Sequence, residues 1–156
     1  MIYVCENNKY GMGTAFERVA AVTDVAEHAC SYDMAAELVN GMDVLEVYHA
    51  ARRAVARARK HGHPTLLEVR TYRFMGHSMS DPTHGVYRTK EEVEEERQRD
   101  PLVRLAAQLR AEGALDQSAY DALDAEVTAE ADASLRFAEE SPDPDPGQLT
   151  THVLAD

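Results

Sequence analysis

Cysteine is scarce in this chain: there are two in 156 residues, Cys5 and Cys30, and their spacing matches no metal-binding or redox motif. A cysteine-built metal or disulfide-exchange centre is thereby excluded, and reduced thiols of a cytosolic protein are expected. Basic residues are also few. Sixteen Lys and Arg face 28 Asp and Glu, for a formal charge of −12, which excludes non-specific nucleic-acid binding because that needs a basic surface. No apolar run approaches the roughly 18 residues of a membrane span, and no signal peptide opens the sequence. No membrane and no nucleic-acid partner is expected. A cytoplasmic, bacterial location is expected, with the mitochondrial matrix left open because a transit peptide would lie upstream of Met1. Internal repeats are absent too.

What is present suffices for one ordinary domain: 44% of residues are apolar. Met1 to Glu6 reads as a buried strand that exits into a loop rich in Asn and Gly. Residues 14–32 lack a clean period and read as loop with short helical turns. Met34 to Asn40 reads as a short helix stopped by Gly41. Asp43 then caps a helix whose apolar face is Val44, Val47, Ala50, Ala51, Val55 and Ala58. Basic residues Arg57, Arg59, Lys60 and His61 fill its last turn, and Gly62 with Pro64 ends it. Thr65 to Tyr72 reads as the next buried strand. Strand, helix, strand predicts a βαβ unit, hence an α/β fold with a parallel sheet.

The pattern then breaks from Arg73 to Arg88 into a loop of functional length. Thr89 with Glu92 predicts a capping box, and Asp100-Pro101 restarts the helix. Asp116 or Ser118 opens a long helix to about Glu140, with Leu123, Val127, Ala131 and Leu135 as its inner stripe. Ser141 to Gly147 is a stiff, Pro/Asp-rich break. The predicted organisation is 1–88 as α/β domain with an active-site loop at 73–88, 89–140 as helical region, and 141–156 as extended tail.

Chemistry concentrates in two blocks. Cys5-Glu6-Asn7-Asn8-Lys9-Tyr10-Gly11-Met12-Gly13-Thr14 follows a strand, where open α/β sheets place ligands. Asn8 can offer a neutral oxygen to a hard cation such as Mg²⁺, while Gly11 and Gly13 would let the backbone turn sharply. Taken alone, the block also reads as an ordinary strand exit in which Asn and Gly serve only the turn. The second block is Thr71-Tyr72-Arg73-Phe74-Met75-Gly76-His77-Ser78-Met79-Ser80-Asp81-Pro82, with Tyr87-Arg88-Thr89 behind it.

In this order the two blocks closely resemble the α subunit of thiamine diphosphate-dependent 2-oxo acid dehydrogenases, with the pyruvate-type heterotetrameric first component the nearest match. The likeness continues through Gly41-Met42-Asp43-Val44 to near the C-terminus. It implies part of the thiamine diphosphate-binding fold, a parallel βαβ portion followed by helices. It implies thiamine diphosphate and Mg as cofactors, with Asn8 (side chain) and Tyr10 (backbone carbonyl) on the metal. Gly11 and Met12 are implied as the wall of the cofactor loop. His77 is implied as the catalytic residue near the diphosphate, with Ser78 beside it. The family motif opens with a Gly-Asp-Gly segment that has no counterpart before Asn7, so the chain alone is expected to show little cofactor binding and no turnover. Implied partners are the β subunit and the lipoyl-bearing dihydrolipoyl acetyltransferase. The implied reaction is oxidative decarboxylation of pyruvate; an acetoin- or branched-chain-type enzyme and a non-catalytic assembly module are the alternatives. Arg73 and Arg88 are read as holding phosphate or pairing with Asp81, the internal ion pair ranked first.

Overall fold

The computed structural model describes residues 1–153, which divide into two compact units, the first over 1–111 and the second from 112 on. Of the predicted tail 141–156, residues 154–156 lie outside the described residues. The first unit is built on a three-stranded parallel sheet, β1 (Ile2–Asn7), β5 (Thr65–Arg70) and β4 (Ala35–Asn40), in the order β1-β5-β4. Register runs Ile2 beside Thr65 and Ala35, through Asn7 beside Arg70 and Asn40. All three strands therefore end together, and the chemistry-bearing turns leave from one edge. A small antiparallel ribbon, β2 (Tyr10–Gly11) with β3 (Thr14–Ala15), follows β1. Short 3₁₀ turns at Phe16–Arg18 and Val25–Tyr32 fill the connection that the sequence predicts as loop with helical turns.

Two strand readings change. The segment read as a helix at Met34 to Asn40 is β4. Its Met, Ala, Glu and Leu favour helix only weakly, and hydrogen bonding to β5 with burial of Val39 overrides that preference. β1, read as buried, has Tyr3 47% and Val4 62% exposed because it lies at the sheet's edge. β5 is the central strand, with Thr65, Leu67, Glu68 and Val69 all buried.

Helix α1 (Val44–His61) connects β4 to β5 and makes the crossover that a parallel pair requires. Its start is set by Asp43, whose Oδ1 accepts the amides of Leu45 at 3.0 Å and Glu46 at 3.1 Å. Gly62, left-handed at φ 68°, ends it. The face it buries is Ala50 and Ala54 with Val47, packed on Val39, Leu67, Val69 and Ile2. Val44, placed on that face by periodicity, is 43% exposed instead. Small alanines let the helix lie close to the sheet.

After β5, residues 71–89 contain no helix or strand. Helix α2 (Lys90–Arg97) begins at Thr89, whose hydroxyl accepts the Glu92 amide at 3.0 Å. Helix α3 (Pro101–Ala111) begins at Asp100, whose Oδ1 accepts the Leu102 amide at 2.8 Å. Arg104 ties α3 to the start of α1 through the Met42 carbonyl and Asp43, both at 3.1 Å.

In the second unit, α4 (Gln117–Glu140) is capped by Asp116. Its predicted inner stripe is not buried: Leu123, Val127 and Leu135 are each more than half exposed. A short 3₁₀ turn at Pro146–Thr150 follows the Pro/Asp break. Among the described residues no helix is long and apolar enough to cross a membrane.

Candidate functional site

The Asn pair leaves β1 as two consecutive side-chain turns. Asn7 Oδ1 accepts the Lys9 amide and Asn8 Oδ1 accepts the Tyr10 amide, each at 3.1 Å. Asn side chains do this readily, and the backbone between them goes left-handed at Lys9, φ 71°. The second left-handed residue is Met12, φ 53°, in the turn of the β2–β3 ribbon. The sharp backbone therefore falls on Lys9 and Met12, not on Gly11 and Gly13. Gly13 matters for space instead: a Cβ there would lie 3.1 Å from the Tyr87 ring. Gly11 is exposed, with nothing within 4 Å of an added Cβ.

Tyr10 points its hydroxyl away from the turn. It donates to Glu92 Oε1 at 2.7 Å, and Tyr72 donates to the same oxygen at 2.8 Å. Glu92 is thus engaged by two phenols, and only the Thr89 half of the predicted capping box forms. Desolvation pushes the Glu92 carboxyl up, but the two phenols, with Lys9 and Arg88 nearby, outweigh it and hold the group below its ordinary value. Burial and the same carboxylate push Tyr72 up to about 12 and Tyr10 higher still.

The 73–88 loop is organised by its two arginines. Arg88, 4% exposed, aims its planar fork at three backbone carbonyls: Thr83 (2.5 Å), Met75 (2.6 Å) and Arg73. Its guanidinium also lies 5.4 to 5.9 Å from the ring centres of Tyr10, Tyr72 and Tyr87. Arg73 donates through Nη2 to the Met12 carbonyl at 2.7 Å and to the Tyr87 hydroxyl at 3.0 Å. Its Nη1 meets His77 Nδ1 at 3.2 Å. The expected ion pair of either arginine with Asp81 is not formed. Asp81 Oδ2 instead accepts the His77 amide at 2.7 Å and the Tyr87 hydroxyl at 2.6 Å, and these two bonds, the phenol's first, hold the Asp81 carboxyl below its ordinary value. An arginine spends its donors where unpaired carbonyls converge, and the loop's own backbone supplies them. Gly76 allows the tight fold, since a Cβ there would lie 1.9 Å from the Asp81 carbonyl oxygen.

The sequence-derived residues fall into connected pairs. Asn8 and Tyr10 share one turn. Met12 and His77, 65 positions apart, are both bonded by Arg73. A guanidinium can only donate, so the Arg73 contact fits the tautomer in which His77 Nδ1 accepts and the proton lies on Nε2. His77 is exposed, which leaves Nε2–H free to face a ligand. Ser78 stands apart, its Oγ 3.1 Å from that of Ser80. A cavity of about 490 Å³ opens beside the turn, with Asn7, Lys9, Tyr10, Arg70 and Glu92 on its wall, but not Asn8, His77 or Ser78.

Could these residues hold a metal? Among the described residues no group of three or more His, Cys, Asp or Glu could do so. The donors at the turn are the neutral oxygens of Asn8 and of the Tyr10 carbonyl. That set suits part of the shell of a hard cation whose remaining ligands include phosphate, and does not suit zinc or another soft ion. Sequence reasoning missed Glu68 and Glu92 as parts of the site's frame, and named Arg88 but with Asp81 or phosphate as its partner in place of the loop's carbonyls. Glu68 alone left a signal, a charge inside an otherwise apolar strand.

Comparison with known proteins converges on one family. The family model described as "Dehydrogenase E1 component" matches residues 1–147. A pyruvate dehydrogenase E1 component subunit alpha of Rickettsia conorii is 37% identical over 153 residues, covering 98% of this chain and 46% of the relative. The protein of the same name from Rhizobium meliloti is 39% identical over 155 residues, 99% of this chain and 44% of its own. The human somatic mitochondrial form is 41% identical over 157 residues, 99% of this chain and 39% of its own. The chain thus spans less than half the length of these relatives. It belongs to the dehydrogenase E1 component family.

Proposed function

We propose, taking that membership as the premise, that this chain contributes the metal-diphosphate turn and the catalytic loop of a pyruvate dehydrogenase α subunit. The reaction is oxidative decarboxylation of pyruvate with reductive acetylation of a lipoyl group. When bound, thiamine diphosphate supplies the electron sink for loss of CO₂. Asn8 Oδ1 and the Tyr10 carbonyl would hold the Mg²⁺ on the diphosphate, with Gly11 and Met12 walling the cofactor. His77 would present Nε2–H to the reacting groups as a proton donor, with Ser78 alongside. Arg73 keeps the ring in that tautomer. Met75, Met79 and Val86, all more than half exposed on the same loop, offer apolar contact to the lipoyl-bearing acetyltransferase. A β subunit would complete the site in a heterotetramer.

The observation that carries the proposal is Arg73. One side chain joins the carbonyl of Met12, in the metal turn, to the ring of His77, in the loop. Two motifs read separately in the sequence thus become one constellation. The test uses the assembled enzyme that contains this chain. Asn8→Ala should weaken Mg²⁺-dependent thiamine diphosphate binding in isothermal titration. His77→Ala should spare that binding and lower acetyl transfer to a lipoyl domain by about 10²–10⁴-fold, the range for a positioned acid–base group. Unchanged cofactor affinity in Asn8→Ala would overturn the metal assignment.

A further inference from the structure

Glu68 is fully buried, 0% exposed, at the centre of the middle strand β5. A carboxylate taken from water persists only when its oxygens are satisfied. Here they are. Oε1 accepts Asn7 Nδ2 at 2.8 Å and Arg70 Nε at 3.3 Å, and Oε2 accepts the Ala26 amide at 2.8 Å. Arg70 is itself bonded to Asp24, so the carboxylate sits among donors on the sheet face opposite α1. Burial, and then the Glu68 charge, push the neighbouring Cys5 thiol up, which keeps it protonated and inert.

The bond to Asn7 has a geometric consequence. With Nδ2 committed to Glu68, the Asn7 amide cannot flip, and its Oδ1 must face the Lys9 amide. That contact pins Lys9 in its left-handed conformation, from which Asn8 Oδ1 and the Tyr10 carbonyl take their directions. On the far side, Lys9 Nζ is held by Glu96 at 2.6 Å and the Tyr10 hydroxyl by Glu92. The two asparagines therefore divide the work: Asn7 is spent inward, and Asn8 remains for a ligand.

We infer that Glu68 is the positioning residue of the cation turn, acting through Asn7 to aim Asn8 Oδ1 and the Tyr10 carbonyl. The inference rests on the reading of Asn8 and Tyr10 as the cation's ligands. Glu68 touches neither cation nor cofactor; it sets the turn that does.

The experiment is Mg²⁺ titration calorimetry of the assembled enzyme at saturating thiamine diphosphate, with kcat measured separately at saturating Mg²⁺. Glu68→Gln places an amide NH₂ against either Asn7 Nδ2 or the Ala26 N–H. It should weaken Mg²⁺ about tenfold, the low end for residues that orient a metal's ligands, while kcat at saturation is kept. Asn7→Ala, which leaves Glu68 bonded to Ala26, should do the same and carries the test if the glutamine variant does not assemble. The reversed pair, Asn7→Asp with Glu68→Gln, satisfies the Ala26 and Lys9 amides and the bond between positions 7 and 68 again, leaving only Arg70 Nε, the most distant donor at 3.3 Å, without its acceptor. The introduced glutamine accepts from Ala26 and donates to the introduced aspartate, which in turn accepts from Lys9. This double variant should restore affinity to within about threefold of the parent, a coupling that a purely structural loss would not show. Parent-like affinity in Asn7→Ala, or a reversed pair no tighter than Glu68→Gln, overturns the inference. Asn8→Ala separates the two levels. If it leaves Mg²⁺ affinity intact, the cation reading itself falls. If it weakens Mg²⁺ while Asn7→Ala does not, only the positioning role falls.

Discussion

Replacing Arg88 by methionine removes the guanidinium fork while keeping most of the side chain's apolar volume. Three backbone carbonyls, those of Thr83, Arg73 and Met75, then lose their donor. Hydrogen bonds to a charged group contribute about 1.5–3 kcal/mol each, so the gross interaction is on the order of 5–9 kcal/mol. The full amount is not lost, because a surface loop that opens lets its carbonyls find water. The loss in local opening free energy should therefore be near that of one or two such bonds, about 3 kcal/mol. At about 1.36 kcal/mol per decade, this is roughly a hundredfold in an opening equilibrium.

Amide hydrogen exchange reads this directly. Within the loop, the His77 amide is bonded to Asp81 Oδ2, the Asp81 amide to the Ser78 carbonyl, and the Gly85 amide to the Arg88 carbonyl. These three should exchange about a hundredfold faster in Arg88→Met, while amides of β5 keep their protection. Arg88→Lys should fall between, because a compact ammonium cannot span three diverging carbonyls. Loop amides as slow as in the parent would refute the clamp. Equal acceleration in β5 would show instead that Arg88 supports the whole unit.

The phenol pair on Glu92 predicts a late tyrosine titration. Tyr72 ionises near 12, and because its folded value is raised, its contribution to stability is intact below about 10 and lost as pH rises through 12. Glu92→Gln should bring two tyrosines down in a titration followed by phenolate absorbance, though not fully to the ordinary value, since burial is the larger cause. An unchanged curve would sink the assignment. At acid pH the sign reverses for Glu92, whose contribution is present above its ordinary value and fades as pH falls through the depressed one. Gly41→Ala would set a Cβ 2.5 Å from Thr71 Cγ2 and 2.7 Å from the Arg70 carbonyl, which accepts the Gly41 amide. Overpacking plus a weakened strand-end bond should cost about 2–4 kcal/mol in urea unfolding. Gly11→Ala, in open space, should stay within roughly 0.5 kcal/mol. Equal effects at the two glycines would contradict the close approach at Gly41.

The legible parts of the fold are those in which local chemistry and tertiary packing agree. Asp43 and Gly62 bound α1 because an N-cap carboxylate and a left-handed glycine do the same thing in nearly any context. Met34 to Asn40 is the opposite case. Its residues carry a mild helical preference, and only the neighbouring strand β5, which follows the whole of α1, makes it β4. β1 departs from its sequence reading for a related reason: apolar residues report a tendency to be covered, not whether this strand is central or at the edge. In the candidate site, motif and spacing singled out the Asn turn and the His77 loop. Neither could reveal that Arg73 joins them, since that bond depends on the ribbon's Met12 carbonyl arriving beside the loop.

Charge placement explains why the frame was harder to read than the turn. The turn offers neutral oxygens, while the carboxylates Glu68, Glu92 and Glu96 stand one bond behind, on Asn7, Tyr10 and Lys9 respectively. Standing one bond away, the acids fix the turn's shape through hydrogen bonds while its own oxygens stay neutral. That arrangement scatters the acids over β5 and α2, where each looks locally like an ordinary strand or helix residue. Residues that share a turn must be contiguous, and so they form a motif. The residues that aim them need only arrive from somewhere, and so they leave none.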